Sequence, residues 1–298
     1  MKILGDTAGL SPTINREPCH PGGMTEGVRP RFALNGGIRI AYELHDRAGA
    51  GRPWVCLIHG LGYGRWGWEP VVEPLAERFR VVALDNRGIG TSDVPSGPYS
   101  ASQMASDVVA VLDDAGIERT HVVATSLGAM IAQELAIGHP GRVDRLVLVS
   151  TTPGGAGSYP MPEATIRLIA EMPALPLEES LRRGVVNALS PGALAEQPAL
   201  AEQINALRLA NPFDLGGWQS QAIGGATYDG GDRWRSIAAP TLLIHGTADT
   251  VVDYRNSKLL ASGIPDAQLI LFEGAGHLLF WEEPERFVGV VSEFLEGR

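Results

Sequence analysis

Short apolar runs alternate with amphipathic stretches along this chain from about residue 32 onward. Apolar positions that alternate on both sides of Asn35-Gly36, over Phe32–Tyr42, predict a β-hairpin. The apolar runs of strand length that follow are Trp54–Ile58, Val81–Leu84, Val122–Ala124, Leu146–Val149, Leu242–Ile244 and Leu269–Phe272. Helical periodicity recurs between and after them, at Val71–Phe79, Met104–Ala115, Leu127–Gly138, Tyr254–Ala261 and Pro284–Leu295. This order predicts an α/β fold with a doubly wound, mostly parallel β-sheet that helices cover on both faces.

The long stretch after the sixth strand breaks the alternation. It has no convincing strand run, and its helical patterns are Ala164–Glu171, Leu177–Asn187 and Leu200–Leu209. We expect residues 151–235 to form a helical cap above the carboxyl edge of the sheet, where parallel sheets bind ligands. Residues 31–150 and 236–298 then form the core. Residues 1–30 are rich in Pro, Gly and Thr and have no periodicity, which predicts a flexible N-terminal extension.

Composition narrows the classes of function and partner. The chain has 298 residues, 44% of them hydrophobic, which suffices for a large core. Its net charge of −10 argues against a nucleic-acid partner, because phosphate binding needs clustered Lys and Arg. Cys19 lies in a polar segment and Cys56 in an apolar strand, so a disulfide framework is not expected. No apolar run approaches the length of a membrane span, and we expect a cytoplasmic location.

The segment from His121 to Met130 carries the first candidate for chemistry. An apolar strand runs into Ser126, and a helical pattern follows directly. A serine at a sharp strand-to-helix turn exposes its hydroxyl, and the turn needs small residues two positions away on either side. These positions hold Ala124 and Gly128. The segment is therefore a relaxed form of the nucleophile elbow G-x-S-x-G, with alanine in place of the first glycine.

A reactive serine needs a base, usually a histidine. Four of the seven histidines lie away from the loops expected at the carboxyl ends of strands: His20, His45, His121 and His139. His277 follows the last strand in Gly274-Ala275-Gly276-His277, and a loop with two glycines can bring its imidazole over the serine. We therefore predict that His277 is the base.

The carboxylate that orients the histidine should lie at the same edge of the sheet. Asp249 comes shortly after the strand Leu242–Ile244, and Asp253 is the alternative. The loop after the preceding strand, residues 151–155, has no carboxylate. Position and elimination both favour Asp249, which gives the order Ser126, Asp249, His277.

A tetrahedral intermediate also requires hydrogen-bond donors for its oxyanion. The loop His59-Gly60-Leu61-Gly62 follows the strand Trp54–Ile58. We expect the Leu61 amide to form the oxyanion hole together with the amide of Leu127, the residue after the serine. His59 is interpreted as a structural anchor of this loop.

These motifs together resemble the α/β-hydrolase superfamily, in its branch of cofactor-free esterases and lactonases. The resemblance covers about residue 32 to the end, and its motifs are His59-Gly60, Asp85–Asp93, the elbow, Gly246–Asp249 and Gly276-His277. In similar proteins the segment Asp85–Asp93 is a structural turn beside the site. The chain departs from the family pattern at three elbow positions: Ala124, Thr125 and Ala129.

One competing pattern points to a nucleotide cofactor. Gly60, Gly62 and Gly64 follow a strand, and Asp85 comes about twenty residues later, as in a dinucleotide-binding fingerprint. The pattern fails because Arg65 occupies the place of the third glycine. No metal-binding motif is present in the sequence either. We therefore predict no cofactor and no metal.

The substrate is the least determined feature. Candidate pocket residues are Trp66, Met161, Trp218 and Leu278. Their apolar character favours hydrolysis of an uncharged, fairly apolar carboxylic ester, with the small-molecule substrate as the expected partner. The same triad leaves several alternatives open. They are hydrolysis of a lactone such as an enol-lactone, of a carbon–carbon bond, or of an amide or carbamate, and perhydrolysis. A hydrolase-fold ligand receptor or sensor with slow turnover is the alternative from another class.

Overall fold

The sheet and its helices are defined by a computed structural model that describes residues 29–297. The predicted extension, residues 1–30, lies outside the described residues except for its last two. The strands are β1 (Arg31–Asn35), β2 (Ile38–His45), β3 (Trp54–Ile58), β4 (Arg80–Leu84), β5 (Thr120–Thr125), β6 (Val143–Val149), β7 (Thr241–Gly246) and β8 (Ala267–Phe272). They form one eight-stranded sheet in the order β1-β2-β4-β3-β5-β6-β7-β8.

The predicted hairpin and the predicted mostly parallel sheet are confirmed. β1 pairs antiparallel with β2 and β2 antiparallel with β4, whereas every pairing from β4 through β3 to β8 is parallel. The hairpin turn uses Gly36 and Gly37, with φ of 57° and 86°, which a two-residue turn requires and glycine adopts without strain.

Helices cover both faces of the sheet. The main helices of the core are α1 (Glu69–Ala76), α2 (Ala101–Asp114), α3 (Leu127–Gly138), α9 (Arg255–Ala261), α10 (Leu279–Glu282) and α11 (Pro284–Leu295). Short 3₁₀ helices are Arg65–Trp68, Pro140–Arg142, Met172–Ala174 and Arg233–Ser236. None of the helices within residues 29–297 combines the length and apolarity that crossing a bilayer requires.

Alternation along the strands divides the interior into two cores. On β3, Cys56 and Ile58 face the core that includes α2, α3 and α9, while Val55 and Leu57 face the core that includes α1, α10 and α11. All four side chains are fully buried. The central strands therefore contain continuous apolar runs, as expected where helices cover both faces of a sheet, whereas the edge strand β1 leaves Phe32 and Leu34 exposed.

The insertion after the sixth strand is entirely helical apart from its loops. It contains α4 (Glu163–Glu171), α5 (Leu177–Ala188), α6 (Pro191–Glu196), α7 (Leu200–Ala210) and α8 (Leu215–Ala226). The sequence predicted α4, α5 and α7 but not α6 or α8. Side chains of α5, α6 and α7 extend the second core, where Val185 and Ile204 are fully buried. The cap bounds 151–235 remain a prediction.

A buried ion pair joins the segment after β4 to α2. Arg87 Nε and Nη2 donate to the two carboxylate oxygens of Asp107 at 2.6 and 2.7 Å. Asn35 Nδ2 donates to the same carboxylate at 2.8 Å, and the Asp107 side chain is 1% exposed. Both charges are thus desolvated and fully dependent on each other.

We predict that Asp107→Ala destabilises the fold by about 3–5 kcal/mol, because it leaves the Arg87 guanidinium buried without a carboxylate. The measurement is urea-induced unfolding followed by circular dichroism. Asp113→Ala is the matched control on the same helix: its side chain is 63% exposed and pairs with Arg142 on the surface, so it should cost less than about 1 kcal/mol. Equal shifts for both variants would contradict the prediction.

Candidate active site

Ser126 occupies a strained turn between β5 and α3. Its φ is +55°, a value that costs a non-glycine residue about 1–3 kcal/mol and persists only where surrounding contacts impose it. The Ser126 N–H donates to Val149 O at 2.9 Å, and the Thr151 hydroxyl donates to Ser126 O at 3.1 Å. Ordered contacts from β6 therefore hold the backbone of the elbow.

Close backbone contacts explain the small residues of the elbow. A Cβ atom at Gly128 would lie 2.2 Å from Ile58 O, so no side chain fits there. A Cβ at Gly60 would lie 2.9 Å from the Ser126 Cβ, which places the loop after β3 directly against the serine. Ala124 is fully buried in β5, so its methyl group is accommodated where the motif usually has glycine.

The acid and base candidates meet at the carboxyl ends of β7 and β8. His277 Nδ1 and Asp249 Oδ2 are 2.7 Å apart, and both residues are buried. The backbone N–H of His277 donates to Ala188 O, at the end of α5, at 2.8 Å. The His277 loop is thus held at two points, by Asp249 through the imidazole and by the end of α5 through the backbone N–H.

The Asp249 carboxylate receives four hydrogen bonds. Oδ1 accepts the backbone N–H groups of Val251 and Val252 at 2.7 and 2.9 Å. Oδ2 lies 3.0 Å from His245 Nε2 in addition to its contact with His277. Burial alone would raise the pKa of Asp249, but the charge on His277 and the hydrogen bonds from His245 and His277 outweigh burial and lower that pKa below its usual range.

His245 is a buried neighbour of Asp249 whose contact was not predicted from the sequence. It lies on β7, fully buried, with Nε2 facing two acceptors, Asp249 Oδ2 and Val252 O, so Nε2 must carry a proton. The Ser257 hydroxyl lies 2.7 Å from Nδ1. The alternative acid from the sequence, Asp253, instead forms an ion pair with Arg255.

The turn after β3 leaves the Leu61 amide free. Gly60 N–H donates to His59 Nδ1 at 2.7 Å, Gly62 N–H to Gln221 Oε1 at 3.1 Å, and Tyr63 N–H to Gly60 O at 3.3 Å. Among residues 29–297, the Leu61 N–H has no acceptor. It lies next to Gly60, which contacts Ser126, so this free donor is adjacent to the serine.

His59 has structural contacts on all sides. Its ring stacks on Tyr63 with centroids 4.7 Å apart and meets Trp68 and Phe280 at 5.0 and 5.6 Å. Burial lowers the pKa of His59 to about 3, and charges on His277 and Arg208 act in the same direction. His59 is therefore neutral and anchors the loop.

Comparison with known proteins identifies the family. The sequence profile described as the alpha/beta hydrolase fold matches residues 53–284. The chain belongs to the α/β-hydrolase family. A 2-hydroxy-6-oxononadienedioate/2-hydroxy-6-oxononatrienedioate hydrolase from Cupriavidus pinatubonensis is 33% identical over 280 residues, which cover 91% of this chain and 97% of the relative.

Two solved structures extend the similarity. Est816, described as an N-acyl homoserine lactone degrading enzyme, has a TM-score of 0.76 and 29% identity over 89% of this chain and 100% of its own. The enol-lactonase from Burkholderia xenovorans LB400 has a TM-score of 0.79 and 25% identity, with the same coverage. Proteins similar to this α/β-hydrolase thus carry the names of different hydrolytic activities.

The predicted pocket residues of this α/β-hydrolase have different surroundings. A Cβ at Gly62 would lie 2.6 Å from Cδ1 of Trp218, so this indole covers the loop after β3. Leu278 is 2% exposed beside His277, and Trp66 packs on Tyr63 with ring centroids 4.9 Å apart. Met161 is 44% exposed on the segment before α4. Their contact with substrate remains a prediction.

A buried arginine lies on the same side as Trp218, and the sequence analysis missed it. The Arg208 guanidinium, on α7, is 4.8 Å from the Tyr63 ring centroid, and its Nη2 is 2.8 Å from the position of a Cβ at Gly62. Arg208 is 7% exposed and its Nε has no hydrogen-bond partner. Within residues 29–297 no carboxylate lies within 4.0 Å of it. One turn earlier, Asn205 Oδ1 is also buried without a partner.

No group of three or more His, Cys, Asp or Glu side chains in the described part of the chain is arranged to hold a metal ion.

We predict an acid-sensitive stability that depends on His59. The folded state holds His59 neutral with a pKa of about 3, whereas the unfolded chain takes up the proton below about pH 6.5. The unfolded state therefore binds more protons between these values, and stability falls with falling pH by about 1.4 kcal/mol per pH unit.

The measurement is the urea unfolding free energy from pH 8 to pH 4. His59→Asn keeps an acceptor for the Gly60 N–H but cannot ionise, so its stability should fall less steeply than that of the wild type below about pH 6. Above about pH 7.5 the two slopes should coincide. Parallel curves over the whole range would refute the assignment.

Proposed function

We propose that this α/β-hydrolase is a serine hydrolase that cleaves an uncharged, fairly apolar carboxylic ester through Ser126, His277 and Asp249. The observation that carries the proposal is the 2.7 Å contact between His277 Nδ1 and the fully hydrogen-bonded Asp249 carboxylate. This contact leaves His277 Nε2 available to accept a proton, which is the role of the base in such triads.

In the proposed reaction, the Ser126 oxygen attacks the ester carbonyl while His277 Nε2 takes the hydroxyl proton. The Leu61 and Leu127 amides donate to the oxyanion, and Asp249 stabilises the imidazolium. His277 then gives the proton to the departing alkoxide, which leaves an acyl group on Ser126. Water attacks this acyl group with His277 as base, and release of the carboxylic acid restores the serine.

The free amide at Leu61 supports this assignment of the oxyanion hole. The N–H groups of Gly60 and Gly62 on either side of it are hydrogen-bonded within the protein, so the Leu61 N–H is the free donor of this turn beside Ser126. Leu127, at the first position of α3, also has no acceptor among residues 29–297, as expected for a helix N-terminus. An acyl-transfer site uses donors of this kind to bind the oxyanion, and both flank Ser126 in the proposal.

Related chemistries use the same machinery. A lactone substrate is supported by the names of two structural relatives, a homoserine lactone degrading enzyme and an enol-lactonase. Amide, carbamate and carbon–carbon bond hydrolysis and perhydrolysis differ only in the leaving group or the attacking molecule. A slow sensor would release one equivalent of product per chain, whereas an enzyme turns over repeatedly.

We predict that Ser126→Ala lowers the hydrolysis of p-nitrophenyl butyrate by roughly 10³-fold or more, because it removes the nucleophile. Release of p-nitrophenolate measures the rate, and circular dichroism checks the fold. The matched control is Ser102→Ala, at an exposed position on α2, which should keep the wild-type rate. Retention of more than a few per cent of activity by Ser126→Ala would overturn the proposal.

Arg208 favours a second candidate, a hydrolase for a substrate that bears a carboxylate. A buried guanidinium without a carboxylate partner is costly unless a ligand supplies the anion. The relative from Cupriavidus pinatubonensis is named for a dioate, a compound with two carboxylates. This candidate keeps the proposed triad and changes the far end of the substrate from apolar to anionic.

Matched esters decide between the two candidates. If a carboxylate binds Arg208, the wild type should prefer mono-p-nitrophenyl glutarate to p-nitrophenyl butyrate, and Arg208→Met should reduce this preference by roughly 10- to 100-fold, the effect of a charge-assisted hydrogen bond. Arg182→Met, on the exposed surface of α5, is the control and should leave it unchanged. A wild type that prefers butyrate, with Arg208→Met affecting both esters equally, favours the neutral ester.

A further inference from the structure

One face of α8 lies in direct contact with the backbone of the core. A Cβ at Gly217 would lie 2.1 Å from Gly88 O, and one at Gly224 would lie 1.8 Å from Tyr99 O. Gln221 stands between these glycines, so Gly217, Gln221 and Gly224 occupy positions i, i+4 and i+7 of one helical face. Because α8 has no side chain at either contact point, it lies close enough to the core for Gln221 to be fully buried.

Gln221 is fully buried, and both polar atoms of its side-chain amide form hydrogen bonds. Oε1 accepts the Gly62 N–H at 3.1 Å, and Nε2 donates to Arg87 O at 2.8 Å. Because one neighbour is a donor and the other an acceptor, only this orientation of the amide makes both bonds. The Arg87 end is rigid, since the Arg87 guanidinium is held by Asp107.

The bond to Gly62 selects one form of the turn that carries Leu61. Tyr63 N–H donates to Gly60 O and Gly62 has φ of +72°, which together define a type II β-turn with Leu61 at its second position. The alternative, type I, differs by rotation of the Leu61–Gly62 peptide, whose N–H is the group that Gln221 accepts. This rotation would move the Leu61 carbonyl and the Gly62 N–H, whereas the Leu61 N–H belongs to the preceding peptide of the same turn. Loss of the Gln221 acceptor therefore removes the contact that favours type II and leaves the turn, and with it the backbone of Leu61, less firmly held.

We propose that Gln221 is a positioning residue that holds the Leu61 amide in place for the oxyanion. This inference rests on the proposed function, because it assigns Leu61 to the oxyanion hole. It makes α8 a fixed part of the active site: the helix in the inserted region orients a donor that acts on the reacting carbonyl, although Gln221 itself touches neither Ser126 nor the substrate.

The test compares Gln221→Met, Gln221→Glu and Gln219→Met with p-nitrophenyl butyrate. Methionine fills the space but accepts no hydrogen bond, so kcat should fall by roughly 10- to 100-fold, somewhat less than for complete loss of an oxyanion donor, while KM changes by less than about threefold. A buried glutamic acid stays neutral and can make both bonds, so Gln221→Glu should recover most of kcat. Gln219 is exposed on the opposite face of α8, and its variant should match the wild type.

The binding of two inhibitors distinguishes loss of a positioned oxyanion donor from a general disturbance of the active site. A trifluoromethyl ketone forms a tetrahedral adduct with an oxyanion, whereas the unfluorinated ketone of the same chain binds as a planar carbonyl. Gln221→Met should weaken the former by the factor lost in kcat/KM and the latter by less than about threefold. If Gln221→Met does not fold, Gln221→Ala, which leaves room for water, carries the same comparison.

An unchanged kcat in folded Gln221→Met would overturn the inference, as would equal weakening of both inhibitors. The Ser126→Ala variant is measured in parallel. If Ser126→Ala is inactive and Gln221→Met is normal, only the positioning role fails. If Ser126→Ala retains activity, the proposed function itself fails.

Discussion

Backbone contact without intervening side chains is the constraint on which the active-site edge depends. Gly128 lets α3 touch the end of β3, and Gly246 lets β7 touch the loop before His277, where a Cβ would lie 2.2 Å from Ala275 O. Gly217 and Gly224 let α8 reach the core in the same way. A methyl group at any of these glycines would overlap a backbone atom and push the two segments apart. Glycines therefore contribute to the assembly of the site, because they allow backbone segments to approach each other closely.

This packing also accounts for the strain at Ser126. A positive φ in a serine is retained only if neighbouring contacts cost more to break than the strain releases. The elbow is bonded at its N–H by Val149 and at its carbonyl by Thr151, and Gly60 presses on it from the β3 side. The end of β6 and the loop after β3 therefore both hold this residue, which keeps the Ser126 backbone in its strained conformation.

The fold could be predicted from the sequence because both faces of the sheet are buried. Strands that are apolar at every position stand out, and parallel topology then places the residues after each strand at one edge. Asp249 and His277 could be predicted from their positions after β7 and β8, and the structure brings them within 2.7 Å of each other. His245 could not be predicted in this way, because it lies inside an apolar strand and its hydrogen bond to Asp249 is visible only in the folded protein.

α8 escaped prediction for a related reason. Four glycines in Leu215–Ala226 lower its helix propensity, so the segment does not read as a helix. Two of these glycines are the points where α8 contacts the core. Packing against the core stabilises the helix and offsets its low intrinsic helix propensity. Gln221 was missed with α8. Arg208 was missed although its helix, α7, was predicted, because a polar residue on a helix is expected to face solvent unless the partner surface is known.

The buried charges differ in whether the protein itself supplies their partners. Asp249 has four donors, and of the two buried arginines among residues 29–297 Arg87 is paired with Asp107. The other, Arg208, has no carboxylate within 4.0 Å. Desolvated charges in folded proteins are compensated, and Asp249 and Arg87 have their partners within the protein. Arg208 lies on α7, in the inserted region, and packs against the Tyr63 ring. The buried ion pair of the core is thus closed within the protein, whereas the arginine on the inserted helices still lacks an anion, which is the basis of the proposed recognition of an anionic substrate.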